Sequence, residues 1–210
     1  DYGEYEGKPY LVMEYLPGGT LKQKMGRPIP WQEAAQILIP IAEALDYAHD
    51  HNMIHRDVKP SNIILTQSGR PMLTDFGIAK LLDLADTVDL TGTSAAIGTP
   101  EYMAPEQGLG RHVDGRADIY SLGIVFYELV TARKPYTADT PMAVLLKQIQ
   151  APPPPLSLAR PDLSDSFELV LLKALAKDPA DRPPTASALR ERLLSCGCAG
   201  GWGQSDAPPV

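Results

Sequence analysis

Asp75 follows Asn62 by thirteen positions, and the stretch between them constrains the fold of this 210-residue chain more than any other. It reads Ile63-Ile64-Leu65-Thr66, then Gln67-Ser68-Gly69-Arg70, then Pro71-Met72-Leu73-Thr74. Two short β-rich runs around a polar, glycine-bearing link predict a hairpin with a four-residue loop. A hairpin brings the chain back to its starting point, so the residues on its two flanks end up together. One flank is His55-Arg56-Asp57-Val58-Lys59-Pro60-Ser61-Asn62, and the other is Asp75-Phe76-Gly77. The spacing therefore gathers a carboxylate, an ammonium and an amide from one loop beside a second carboxylate. Asn62 and Asp75 are hard oxygen donors, the kind that magnesium takes together with water and phosphate oxygens.

Most of the remaining chain reads as helix. From Trp31 to Asp50 apolar residues recur at 34, 35, 37, 38, 41, 42, 45 and 48, which is helical spacing. Pro30 suits the first turn, whereas Pro40 falls inside and removes a backbone hydrogen bond at a cost of about 3 kcal/mol. Residues 117–131 are apolar on most faces and predict the buried central helix. Further helices are predicted over 142–150, 167–176 and 186–194. Lys8 to Leu16 predicts one strand stopped by Pro17-Gly18-Gly19, with Thr20-Leu21 opening a short helix. Residues 82–99 read as a mobile loop, and Pro152-Pro153-Pro154-Pro155 as an extended surface connection. The fold class is α+β, predominantly α-helical.

Composition removes several functions. A net charge of −7 argues against general nucleic-acid binding, and no apolar run is long enough to span a membrane. Cys196 and Cys198 are too few and too close for a structural zinc site or a disulfide framework, which favours a cytoplasmic setting. The acidic start, Asp1-Tyr2-Gly3-Glu4, is no secretory signal, and the missing initial methionine suggests a fragment. The composition of 196–210 predicts a disordered tail.

The loop and hairpin together spell H-R-D-x-x-x-x-N followed by D-F-G, and Ala104-Pro105-Glu106 follows in order. From Tyr10 to Leu194 the chain resembles the eukaryotic-type (Hanks-type) serine/threonine protein kinases that are also common in bacteria. That resemblance implies a kinase large lobe over 17–195, with a catalytic loop at 55–62 and an activation segment at 75–106. Residues 1–16 would be a remnant of the small lobe ending in the hinge strand. Nothing before Met13 reads as the family's Gly-rich loop, strand lysine or helix glutamate, so the chain resembles a kinase truncated at its N-terminus.

The resemblance implies ATP with Mg2+, or Mn2+, as cofactors. Asp57 would be the catalytic base, Lys59 would neutralise charge on the transferred group, and Asn62 and Asp75 would hold the metal. Met13, Glu14, Leu16 and Ile64 would surround the adenine. Arg56 would pair with phosphate on the activation segment, with Thr91 and Thr93 as phosphosites. Thr99 would hydrogen-bond toward Asp57 and Lys59, and the segment from 98 to 102 would receive the acceptor peptide. Glu106 and Arg182 would form a buried ion pair, and Asp118 would brace the catalytic loop. His55 would be structural, and the cluster of His49, His51 and His55 has no metal-binding spacing.

The implied activity is ATP-dependent phosphorylation of protein serine or threonine, in signalling, with self-association for autophosphorylation and no nucleic-acid partner. The alternative is a catalytically incomplete fragment, or a pseudokinase-like interaction module. These residues alone are expected to turn over poorly, because the upstream phosphate clamp is missing from them.

Overall fold

The computed structural model describes residues 1–6, 8–76 and 100–197. The predicted loop at 82–99 and all but the first two residues of the predicted tail lie outside that set.

The chain opens with a two-stranded antiparallel hairpin of β1, Tyr2–Tyr5, and β2, Lys8–Leu11, in the register Tyr5↔Lys8. This corrects the reading of one strand over Lys8 to Leu16. β2 ends at Leu11, and β1 was not expected. Its side chains are mostly exposed, so backbone pairing defines it and no apolar pattern reports it.

A four-residue helix, α1, spans Leu21–Lys24. The Gln23 side chain accepts the Thr20 backbone N–H at 2.9 Å and satisfies one orphan donor at its start. Helix α2 runs Trp31–Asp50, as its periodicity predicts, and continues through Pro40. Its buried stripe of Ala34, Ala35, Leu38, Ile41, Ala42, Leu45 and Ala48 offsets the proline's cost.

The central hairpin is β3, Ile63–Leu65, and β4, Pro71–Leu73, in the register Ile63↔Leu73. Thr66 donates its N–H to Arg70 O at 2.9 Å and closes the four-residue turn.

Five further α-helices follow among the described residues. They are α3 (Pro105–Gly108), α4 (Arg116–Thr131), α5 (Pro141–Gln150), α6 (Asp165–Ala174) and α7 (Ala186–Ser195). Thr140, Ser164 and Thr185 cap α5, α6 and α7, each accepting a backbone N–H with its side-chain oxygen. The Ser164 cap moves the start of α6 two residues ahead of its apolar period.

Every residue of α4 except Arg116 and Glu128 is buried. The helix packs on α2 and α6, and α7 closes the core against α2. Phe126 of α4 meets Phe167 of α6 at 5.1 Å between ring centres, and Trp31 stacks on Phe167 at 4.9 Å. A Cβ on Gly123 would lie 3.2 Å from the Ala174 Cβ, so glycine sets the close approach of α4 and α6. The proline run is extended, as predicted, with Pro155 at φ −57 and ψ 134. It ends in a core anchor, Leu156, whose N–H reaches Glu168 Oε1 at 2.6 Å. Cys196 still packs against the core, one residue past α7.

Candidate active site

The loop 55–62 has few apolar residues to hold it, so polar contacts fix its backbone. Arg56 sits at φ +63, a left-handed conformation that is costly for a residue with a side chain. Both of its backbone groups are held from other elements. Its N–H donates to Asp118 Oδ1 at 2.7 Å, and its carbonyl accepts Gln107 Nε2 at 2.9 Å. Asp118, fully buried in the first turn of α4, also accepts the His55 N–H at 2.9 Å on Oδ2. His49 donates Nε2–H to that same oxygen at 2.8 Å.

His55 is fully buried. Its Nδ1 accepts the Asp57 N–H at 3.3 Å, so Nε2 carries the proton and donates to Thr74 O at 2.9 Å. Its ring packs on Phe76 at 4.8 Å. This histidine ties the loop to the far flank of the hairpin.

On that framework Asp57, Lys59 and Asn62 come together. Lys59 Nζ donates to Asp57 Oδ2 at 2.7 Å, and Asn62 Nδ2 donates to the same oxygen at 3.1 Å and to Asp57 O at 2.9 Å. Asp57 Oδ1 has no partner among the described residues. The Thr74 N–H donates to Asn62 O at 2.9 Å, which extends the β3–β4 pairing by one step. Asp75 is therefore the next residue beyond Asn62's paired neighbour. It sits at φ +61, and its exposed carboxylate has no partner among the described residues.

This donor set fits a divalent cation. Both amide hydrogens of Asn62 point back to Asp57, which leaves Oδ1 as the outward group, shared only with a long contact from Ser61 Oγ at 3.3 Å. One amide oxygen and one carboxylate with no partner among the described residues are hard donors of the type Mg2+ accepts.

Arg182 and Glu106 form a buried bidentate pair, Nη1 to Oε1 at 2.6 Å and Nη2 to Oε2 at 2.8 Å. Its other donors reach Ala176 O, Arg116 O and Lys177 O, so all five guanidinium hydrogens are used. Nearby, Tyr102 donates to Glu128 Oε2 at 2.6 Å. Burial and that carboxylate push the Tyr102 hydroxyl well above the ordinary tyrosine range, so it stays a donor.

Of the residues expected to surround the adenine, Met13 and Glu14 are exposed and Leu16 is half-buried. Glu14, Leu16 and Pro17 line an open cleft with Thr66, Gln67 and Ser68. Among the described residues they share no hydrogen bond with Ile64, which is bridged by Thr20 instead. Gly18 permits that crossing, because a Cβ there would lie 2.2 Å from Leu65 O. Thr91, Thr93 and Thr99 lie outside the described residues. Sequence reasoning missed His49, Gln107, Gln148 and Lys177, each of which donates a side-chain hydrogen bond to a distant part of the chain.

Comparison with known proteins shows the family to which the chain belongs. The protein kinase domain family matches residues 1–194. Serine/threonine-protein kinase PknB of Mycobacterium leprae is 40% identical over 200 residues, covering 92% of this chain and 32% of that protein. Serine/threonine-protein kinase Pkn1 of Myxococcus xanthus is 43% identical over 190 residues, covering 89% of this chain and 27% of that one. The chain thus spans less than a third of the length of these curated relatives. The crystal structure of a mutant PknI kinase domain from Mycobacterium tuberculosis superposes with a TM-score of 0.71 at 34% identity, covering 93% of this chain and 68% of that chain. The chain belongs to the protein kinase domain family, among the Hanks-type serine/threonine kinases of bacteria.

Proposed function

We propose that the protein transfers the γ-phosphoryl group of ATP to serine or threonine hydroxyls of other proteins, in the cytoplasm. Family membership carries ATP and a divalent cation with it. The observation that supports the activity is the hydrogen-bonded group Asp57–Lys59–Asn62, one residue step from Asp75.

Asp57 Oδ2 is held by Lys59 and Asn62, so Oδ1 is the oxygen free to orient the acceptor hydroxyl and take its proton. Lys59 adds positive charge beside the transferred oxygens. Asn62 and Asp75 hold Mg2+, with Mn2+ as a substitute. The bound cation with ATP supplies charge neutralisation on the phosphates. Residues 1–16 serve as the end of a small lobe whose Met13, Glu14 and Leu16 meet the adenine over Ile64, and 17–195 serve as the large lobe. The segment around Thr99 to Tyr102 receives the acceptor peptide. Arg56, whose guanidinium meets no acceptor among the described residues, pairs with phosphate on Thr91 or Thr93. That phosphate is added between two copies of the kinase.

The test is transfer from Mg-ATP to a serine/threonine acceptor protein by the full product of the gene. Asp57→Asn should lower the rate by at least about a hundredfold with the fold intact. Transfer that survives Asp57→Asn contradicts the assignment. Mass spectrometry of the active kinase should find phosphate on Thr91 and Thr93, and their complete absence rejects the regulatory part.

A further inference from the structure

Behind Pro100–Tyr102 lies a buried polar chain that the proposed chemistry does not use. Lys177 Nζ donates to Tyr136 Oη at 2.9 Å, to Tyr120 Oη at 3.1 Å and to Gln148 O at 2.5 Å, so all three ammonium hydrogens are taken. Tyr120 donates to Gln148 Oε1, and Gln148 Nε2 donates to Glu101 O at 2.6 Å and Pro100 O at 3.4 Å. Tyr120 and Gln148 are fully buried, and Tyr136 nearly so. From Lys177 through Tyr120 and Gln148 to the carbonyls of Pro100 and Glu101, each donor faces the same way. Bonds aligned like this polarise one another in a low-dielectric interior. At its other end Lys177 O accepts Arg182 Nη2 at 3.1 Å, which joins the chain to the Glu106 pair.

A partly buried ammonium is costly. Burial, with a smaller push from Arg182, lowers the Lys177 pKa to about 8. A hydrocarbon side chain would fill the space without that penalty. What a hydrocarbon cannot do is hold Tyr120 and the end of α5 in the one arrangement that aims Gln148 at Pro100 and Glu101.

We propose that Lys177 and Gln148 are positioning residues for the protein acceptor: through Tyr120 they set the backbone of Pro100–Glu101, against which the acceptor peptide lies. This rests on the kinase reading above. Neither residue touches the acceptor. Their effect is on how well its segment is preformed, and so on acceptor affinity.

Two measurements on the full gene product test this. In Lys177→Met and Gln148→Met, amide hydrogen exchange across 100–104 should speed up by about tenfold, the loss of one net hydrogen bond, while exchange within α4 stays unchanged. The KM for the acceptor protein should rise by about tenfold and the KM for ATP should stay within about twofold. If Lys177→Met fails to fold, Tyr136→Phe removes a single acceptor of the ammonium and should give a smaller change in the same direction. Unchanged exchange at 100–104 overturns the proposal, as does a KM for ATP that rises in step with that for the acceptor. Asp57→Asn separates this from the kinase reading, since it should lower transfer by at least about a hundredfold without altering exchange at 100–104. If the wild-type protein transfers no phosphate, the kinase reading falls and the exchange result alone still decides whether the strut exists.

Discussion

At the scale of single residues, the site rests on backbone groups that distant side chains hold. Arg56 keeps its left-handed backbone because Asp118 takes its N–H and Gln107 its carbonyl. Asp118→Ala would leave the N–H groups of His55 and Arg56 without their acceptors, and the His49 imidazole without its own. Each buried N–H left unsatisfied costs about 1–3 kcal/mol. Urea denaturation should therefore show a loss of at least about 2 kcal/mol, and a smaller loss for His49→Ala. Arg182→Ala should cost about 3–5 kcal/mol, because it strands the buried Glu106 carboxylate. Replacing both Glu106 and Arg182 by apolar residues should cost less than the sum of the two single changes in the same measurement. His49, Gln107, Gln148 and Lys177 were not legible in the sequence for a common reason. His49 lies 69 positions from Asp118, and no local spacing records such a partner.

At the scale of elements, legibility followed the source of each element's stability. The period of buried residues defined α2 from Trp31 to Asp50 in the sequence as in the structure. The β3–β4 hairpin was legible too, since its turn chemistry and apolar runs are local. β1 was not, because its ladder is made of main chain with the side chains turned outward. The start of α6 was missed by two residues, because a serine cap rather than an apolar residue sets it. Caps of this kind are testable one at a time. Thr185 Oγ1 accepts the Ala188 N–H at 3.0 Å, and Thr185→Ala should lower stability by about 1 kcal/mol in denaturant melts.

At the scale of the whole molecule, one buried helix holds both the 55–62 loop and the Pro100–Glu101 segment. Asp118 near the start of α4 fixes the backbone of the 55–62 loop, and Tyr120, half a turn on, joins the strut to Pro100 and Glu101. The Lys177 ammonium in that strut faces Tyr120, Tyr136 and Gln148, with the Arg182 guanidinium, itself paired with Glu106, close by. Its pKa is lowered to about 8 from a usual 10.5, so the unfolded chain binds this proton more readily than the folded one. Protonation of Lys177 therefore weighs against folding below about pH 8, and its contribution to stability should rise between about pH 8 and 10.5. Denaturation against pH should show that rise reduced in Lys177→Met.

In the proposed function Asn62 and Asp75, beside Asp57, converge on one divalent cation. Mn2+ with a non-hydrolysable ATP analogue tests it by paramagnetic broadening of the protein's resonances. The resonances of Asn62 and Asp75 should broaden first, and Asp75→Ala should remove most of the effect. Broadening centred elsewhere, or unchanged by Asp75→Ala, would contradict it.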